Sequence, residues 1–144
     1  MQLFQTPEHV VVLTEMVHDA RIIRMNAEHD PPEIRKWLGD SIGHWEGDTL
    51  VVETANFSDA TVHRFPSSRN TKAVERFRVV SKDRIDYQFT IEDATVYTSP
   101  WTAVRQMPRL DDYIMYEYAC HEGNYGMHNL LISARSVEAA GELP

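Results

Sequence analysis

The chain reads as mainly β, an antiparallel β-barrel of about eight or nine strands with at most one or two short helices. Three observations predict it. Apolar and polar residues alternate with a period of two along most of the 144 residues, turn residues recur at short intervals, and helical periodicity is almost absent. A chain of this length suits one domain able to bury about 70% of the surface its unfolded form exposes, so residues 1–144 are expected to form a single barrel domain.

The elements follow in order. In "HVVVLTEMV" (9–17), Val11, Leu13, Glu15 and Val17 share one face, and "RIIRM" (21–25) returns after a short connection to make a hairpin. "PPEIRKWLGDS" (31–41) opens with prolines and carries Gly39 near its end, the pattern of one short helix or turn. "HWEGDTLVVETANF" (44–57) is a strand-turn-strand segment around Gly47-Asp48, where glycine supplies the positive φ of a tight hairpin. The stretch from Asn56 to Thr71 is too long for a hairpin loop and has the length of lids and binding segments. "VERFRVVSKDRIDYQFTIED" (74–93) is a second hairpin turning at Ser81 to Asp83, and "PWTAVRQM" (100–107), "YIMYEYAC" (113–120) and "NLLISA" (129–134) supply further strands. Residues 136–144 are expected to fray.

Composition narrows the function classes. A formal charge of −8, from 22 acidic and 14 basic residues, argues against a nucleic-acid backbone or an anionic membrane as partner, and favours a neutral or cationic small molecule slightly. One cysteine, Cys120, excludes an internal disulfide and a multi-cysteine zinc site. No apolar run approaches the roughly 18 residues that span a bilayer. If Met1 is the native start a cytoplasmic location is expected; if a leader has been removed, a periplasmic or secreted one. A long open sheet edge would pair with another copy, which favours a homodimer.

Cofactor chemistry leaves no signature: there is no phosphate-binding glycine loop, nucleophile elbow, HExxH or CxxC pair. Acids set among apolar strand residues remain. Glu15, Glu53, Glu75 and Glu117 each sit beside apolar residues of their own face, and if those faces line one barrel the carboxylates converge where desolvation and nearby charges tune them for acid-base work. The bland alternative is that each glutamate pairs with an arginine (Arg21, Arg76, Arg105) or faces water. His121 continues the Glu117 face, and His18-Asp19 stands beside Arg21 at a strand end. The expected catalytic set is therefore Glu117, His121, His18, Asp19, Arg21 and Glu15, with Cys120 as a small packed hydrophobe. Asp93, Tyr97 and Trp101, clustered around the turn before Pro100, with Trp45, Glu53 and Glu75, are the expected substrate-binding set for a ring-bearing or sugar-like ligand. No cofactor is required; a divalent metal on His18, Glu117 and His121 is the minority option, because no two histidines stand at strand i,i+2 or helix i,i+4 spacing.

The blocks "GDSIGHWEGDTLVVETANF", "ERFRVVSKDRIDYQFTIEDATVYTSPWT" and "EYACHEGN" resemble a group of uncharacterised, often exported bacterial proteins carrying SIGxWEGDTLVVDT, ERF, TIDDPxxYTxPWT and EYxCxEN blocks. The likeness runs in order over about residues 4–135. It implies kinship without a mechanism, and an exported setting. It singles out Glu117, Tyr118, Cys120, Glu122 and Asn124 as a recurring block, in which the group commonly has a residue other than histidine at position 121.

Two function classes follow. The first is a cofactor-independent lyase, isomerase or hydrolase that uses carboxylate and histidine acid-base catalysis on a small aromatic or glycosidic molecule, and the interleaved acids favour it. The second is a lipocalin-like, non-catalytic carrier or sensor in which the polar lining sets specificity. A purely structural or oligomerisation module would instead have a filled interior and outward glutamates.

Overall fold

The computed structural model describes residues 1–61, 63, 65–119 and 122–141. Eight strands form one curled sheet in strictly sequential order, a half-barrel: β1 (Gln2–Gln5), β2 (His9–Leu13), β3 (Ala20–Met25), β4 (Asp40–Glu46), β5 (Thr49–Ala55), β6 (Lys72–Ser81), β7 (Arg84–Glu92) and β8 (Trp101–Pro108). One helix, α1 (Gly126–Ala139), follows. The fold is thus mainly β and open-barrel-like, with β1 and β8 as its edges.

Alternation decides which residues are inside. Registers Val12↔Arg21, Gly43↔Val52, Val52↔Glu75, Phe77↔Tyr87 and Tyr87↔Arg105 put one residue row on the concave face. That face carries the core, Val10, Val12, Ile23, Leu50, Val52 and Phe77, with Met25, Ile85 and Tyr87 packed against it. The β4–β5 hairpin turns at Gly47-Asp48 as its sequence requires, with φ +61° at Gly47. Gly43 serves packing instead: a Cβ there would come within 2.8 Å of Ile23 Cγ2, so only glycine lets the fully buried Ile23 lie over β4.

The structure departs from several of these expectations. The sheet is not wholly antiparallel, because β3 and β4 run parallel, joined by residues 26–39. That crossover has the dozen or so residues a parallel connection needs, and at 31–41 it forms turns, one of the two alternatives that its prolines and Gly39 offered. Residues 113–119 form no strand and join no ladder of the sheet, and "NLLISA" (129–134) is the middle of α1. Residues 136–139, expected to fray, are the last turn of α1, which runs to Ala139 and is followed by Gly141 at φ +71°. β1, which the sequence reading omitted, pairs with β2 through four residues that are all exposed.

Two buried aspartates fasten the connections. Asp40, 1% exposed, accepts from Arg24 Nη2 with both oxygens at 3.0 Å, from Lys36 Nζ at 2.7 Å and from the Asp30 backbone N–H at 2.9 Å, with His29 Nδ1 also at 2.9 Å. This hub closes the parallel crossover. Asp93, 4% exposed, accepts from the hydroxyls of Ser68 (2.7 Å), Thr71 (2.7 Å) and Thr95 (2.6 Å) and from the backbone N–H of Ser68 and Thr95. Burial would raise either carboxyl. At Asp40 the hydrogen bonds from Lys36, Asp30 and His29, with the Arg24 charge, outweigh it; at Asp93 the hydroxyl and backbone donors do. Both are held well below the ordinary carboxylate range.

A group whose folded pKa is depressed stabilises the fold above its unfolded pKa, about 4 for aspartate, and loses that contribution as pH falls toward the folded value. Urea denaturation should therefore show stability falling steeply below about pH 4. Asp40→Asn and Asp93→Asn should each be destabilised by about 2–4 kcal/mol at neutral pH and lose less on acidification than the parent. An unchanged acid slope in both variants would contradict the assignment.

Candidate functional site

The concave face has two unlike ends. At one, the described residues between Phe57 and Thr71 plug the half-barrel. Ser68 and Thr71 are bound to Asp93, Tyr97 Oη donates to the Pro66 carbonyl at 2.7 Å, and Arg35 Nη1 donates to the carbonyls of Phe57 (3.1 Å) and Arg69 (2.8 Å). Phe65 packs edge-on against Trp101 at 5.5 Å, and Trp101 against Phe89 at 5.6 Å. The segment with the length of a lid is a pinned plug. Asp93, Tyr97 and Trp101 do come together, and their role is to hold it.

The other end is open and holds a cavity of about 910 Å³. Its walls come from both edges of the sheet: Leu3 beside β2, Val79 and Ile85 at the β6–β7 hairpin, and Arg105 and Met107 on β8. Residues after β8 roof it. Arg109 N–H donates to the Asp83 carbonyl at 2.8 Å, Leu110, Tyr113 and Met115 line the cavity, and Tyr113 Oη donates to both Glu15 oxygens at 2.5 and 2.6 Å. The Tyr116 N–H adds 3.3 Å to Glu15 Oε1. Glu15 ties the roof to the far flank of the sheet.

Between the two ends lies a charged cluster. Arg21 on β3 donates to Glu75 on β6 through both guanidinium nitrogens, at 2.6 and 3.0 Å, and Tyr87 Oη on β7 donates to Glu75 Oε1 at 2.7 Å. Glu75 is 5% exposed. Burial and the Glu75 charge with its hydrogen bond raise the Tyr87 hydroxyl beyond its ordinary range. Burial would lower the Arg21 pKa, but the charge and hydrogen bonds of Glu75 outweigh it and raise it. The cluster is satisfied from within: Glu75 takes the arginine pairing that the sequence offered as the alternative to a catalytic role.

The remaining candidates are dispersed. Glu53 is exposed on the convex face opposite Ile42, and Trp45, 45% exposed, ends the concave row of β4. His18 is exposed in a short 3₁₀ turn, Met16–His18, with φ +47°, and the Asp19 carbonyl accepts from Thr14 N–H at 3.0 Å. Glu117 is exposed between β8 and α1, while Cys120 and His121 lie outside the described residues. The structure thus brings Arg21 to Glu75 and Glu15 to the cavity, without uniting Glu15, Glu75 and Glu117. Among the described residues no three His, Cys, Asp or Glu side chains are arranged to hold a metal ion.

Two features had no place in the expected site, although Arg105 was named as a possible partner of a glutamate. Tyr87 and Arg105 stand in register on neighbouring strands, and period-two alternation from Glu75 through Phe77↔Tyr87 could have placed them on the Glu75 face. His63, edge-on to Phe57 at 4.8 Å and stacked on Phe65 at 5.2 Å, beside a smaller cavity of about 220 Å³, had no sequence signal. Burial lowers its pKa.

Removing one partner of a buried ion pair leaves the other uncompensated. Glu75→Gln should cost about 2–4 kcal/mol and Tyr87→Phe about 1 kcal/mol in denaturant unfolding, with the double variant less than additive. Additive losses would mean that the two groups act separately. Comparison with protein-family models, with curated proteins and with solved structures returns no match for this chain.

Proposed function

We propose that the protein binds a small, largely apolar molecule in the open end of its half-barrel, as a lipocalin-like carrier or sensor would. The reading rests above all on the position of the cavity. It sits at the end that the Asp93 plug leaves free, its volume of about 910 Å³ falls in the range of small-molecule sites, roughly 300–1,000 Å³, and its walls combine aliphatic and thioether side chains with about as many polar and charged ones. Arg21, Glu75 and Tyr87 are paired with one another and are not among the side chains that line the cavity.

One feature favours the acid-base enzyme as a second reading. Tyr87 Oη is already hydrogen-bonded to a carboxylate with a guanidinium on its other side, the arrangement of a proton-transfer pair. Under that reading Tyr87→Phe abolishes turnover while leaving ligand affinity within about threefold. Under the binding reading no turnover exists to lose.

Three of the six methionines, Met1, Met107 and Met115, line the cavity, whereas Met127 lies on α1. With methyl-labelled methionine, small alkyl and aromatic compounds should shift the NMR signals of Met107 and Met115 and leave Met127 in place. Met107→Trp, which fills the cavity, should abolish those shifts without lowering the unfolding midpoint. Shifts of equal size at Met127, or none at Met107 and Met115, would overturn the reading.

A further inference from the structure

The cavity wall inverts the charge of the molecule. The chain carries −8, yet four cations, Lys82, Arg84, Arg105 and Arg109, line the cavity against a single acid, Glu15. That acid is taken up by Tyr113 and Tyr116. Three of the cations have a carboxylate on their own segment: Lys82 has Asp83 at 3.9 Å, Arg84 has Asp86 at 3.3 Å and Arg109 has Asp111 at 2.5 Å. Arg105 makes no ion pair among the described residues, and its nearest polar neighbour by register, Tyr87, already gives its proton to Glu75. An exposed arginine on the cavity wall, with its five donors uncommitted, is suited to a carboxylate or another planar oxyanion.

Its surroundings define the rest of the ligand. Along β8, Arg105 lies one concave-face position deeper than Met107, and Met107 pairs with Ile85, which in turn pairs with Val79. A cation therefore stands toward the middle of the concavity, with an apolar passage between it and the mouth, where Leu3 and Met115 complete the lining. Resting on the binding reading above, we propose that the ligand is an amphiphilic anion, its oxyanion head on Arg105 and its alkyl or aryl part along Val79, Ile85 and Met107. This reverses the preference for neutral or cationic molecules that the overall charge suggests, because attraction is set by the charges within a screening length of the site, about 10 Å, and not by the sum over the chain.

The test uses three ligands of one chain length, octanoate, 1-octanol and octylammonium, titrated calorimetrically into the parent protein, Arg105→Gln and Arg105→Lys. Octanoate should bind about tenfold or more tightly than octanol, and octylammonium more weakly than either. Arg105→Gln should reduce octanoate to the level of octanol and leave octanol within about threefold, while Arg105→Lys restores part of the difference. Position 105 is exposed on an edge strand, so unchanged unfolding midpoints serve as the control. Equal affinities for octanoate and octanol, or a ratio unmoved by Arg105→Gln, overturn the anion assignment and leave the binding reading standing. Failure of all three ligands to bind or to shift the Met107 methyl signal overturns the binding reading itself.

Discussion

Arg21 and Glu75 belong to strands separated in the sheet by two others, and they meet across its concave side. A flat eight-stranded sheet would hold β3 and β6 about three strand spacings, roughly 14 Å, apart at the backbone; the two side chains close that distance because β4 and β5 curve beneath them. Gly43 and Val52 stand in register with Glu75 on the strands between, one without a side chain and the other completely buried, and that row meets β3 at Met25, so Arg21 reaches Glu75 diagonally across the concave side. A partly desolvated ion pair of this kind contributes little net stability compared with apolar packing. What it contributes is direction: a bidentate guanidinium-carboxylate pair tolerates one relative orientation of the strands that carry it. Tyr87 extends the constraint to β7, and through β7 to the placement of Arg105 on β8.

From that chord the two ends of the half-barrel diverge. Toward Asp93 the concavity is filled, because hydroxyls of the 57–71 segment find a buried carboxylate to bind and Phe65 finds Trp101 to pack on. Toward the β6–β7 hairpin nothing comparable enters, and the chain beyond β8 passes over the space as a roof, tied by Tyr113 to Glu15. The cavity is therefore a consequence of where the chain spends its long connections: both the 26–39 crossover and the 56–71 segment lie at the opposite end from the β6–β7 turn. Function, on this account, is a property of the end left open.

Much of the sheet was legible in the chain because period-two alternation and turn chemistry report on the same thing, which residues share a face and where the strand stops. The 44–57 and 74–93 hairpins are of this kind, and Gly47 adopts the positive φ that its turn needs. Alternation does not say which face is concave, so Glu53 and Glu75, equivalent in pattern, end on opposite sides. Nor does it report partners: residues 113–119 alternate like a strand but join no ladder of the sheet. α1 was misread because Leu130, Leu131 and Ile132 look β-like in a short window, whereas the helical spacing of Met127, Leu130, Leu131, Ala134 and Val137 appears only over the full fourteen residues. The pairing of Arg21 with Glu75 joins positions 54 residues apart, a distance over which one sequence offers no register. For the same reason the cavity could be anticipated as a barrel interior but not located.

The central claim is that a ligand occupies the concave side between the edge strands, and intermolecular nuclear Overhauser effects test it most directly. In a sample saturated with octanoate, the account predicts cross-peaks from the alkyl protons to the methyl groups of Val79, Ile85 and Met107, and none to Ile22 or Val104, exposed apolar residues in the opposite, convex rows. Cross-peaks to Ile22 or Val104 in place of Ile85 and Met107 would contradict it, and would put the binding surface on the convex side of the sheet.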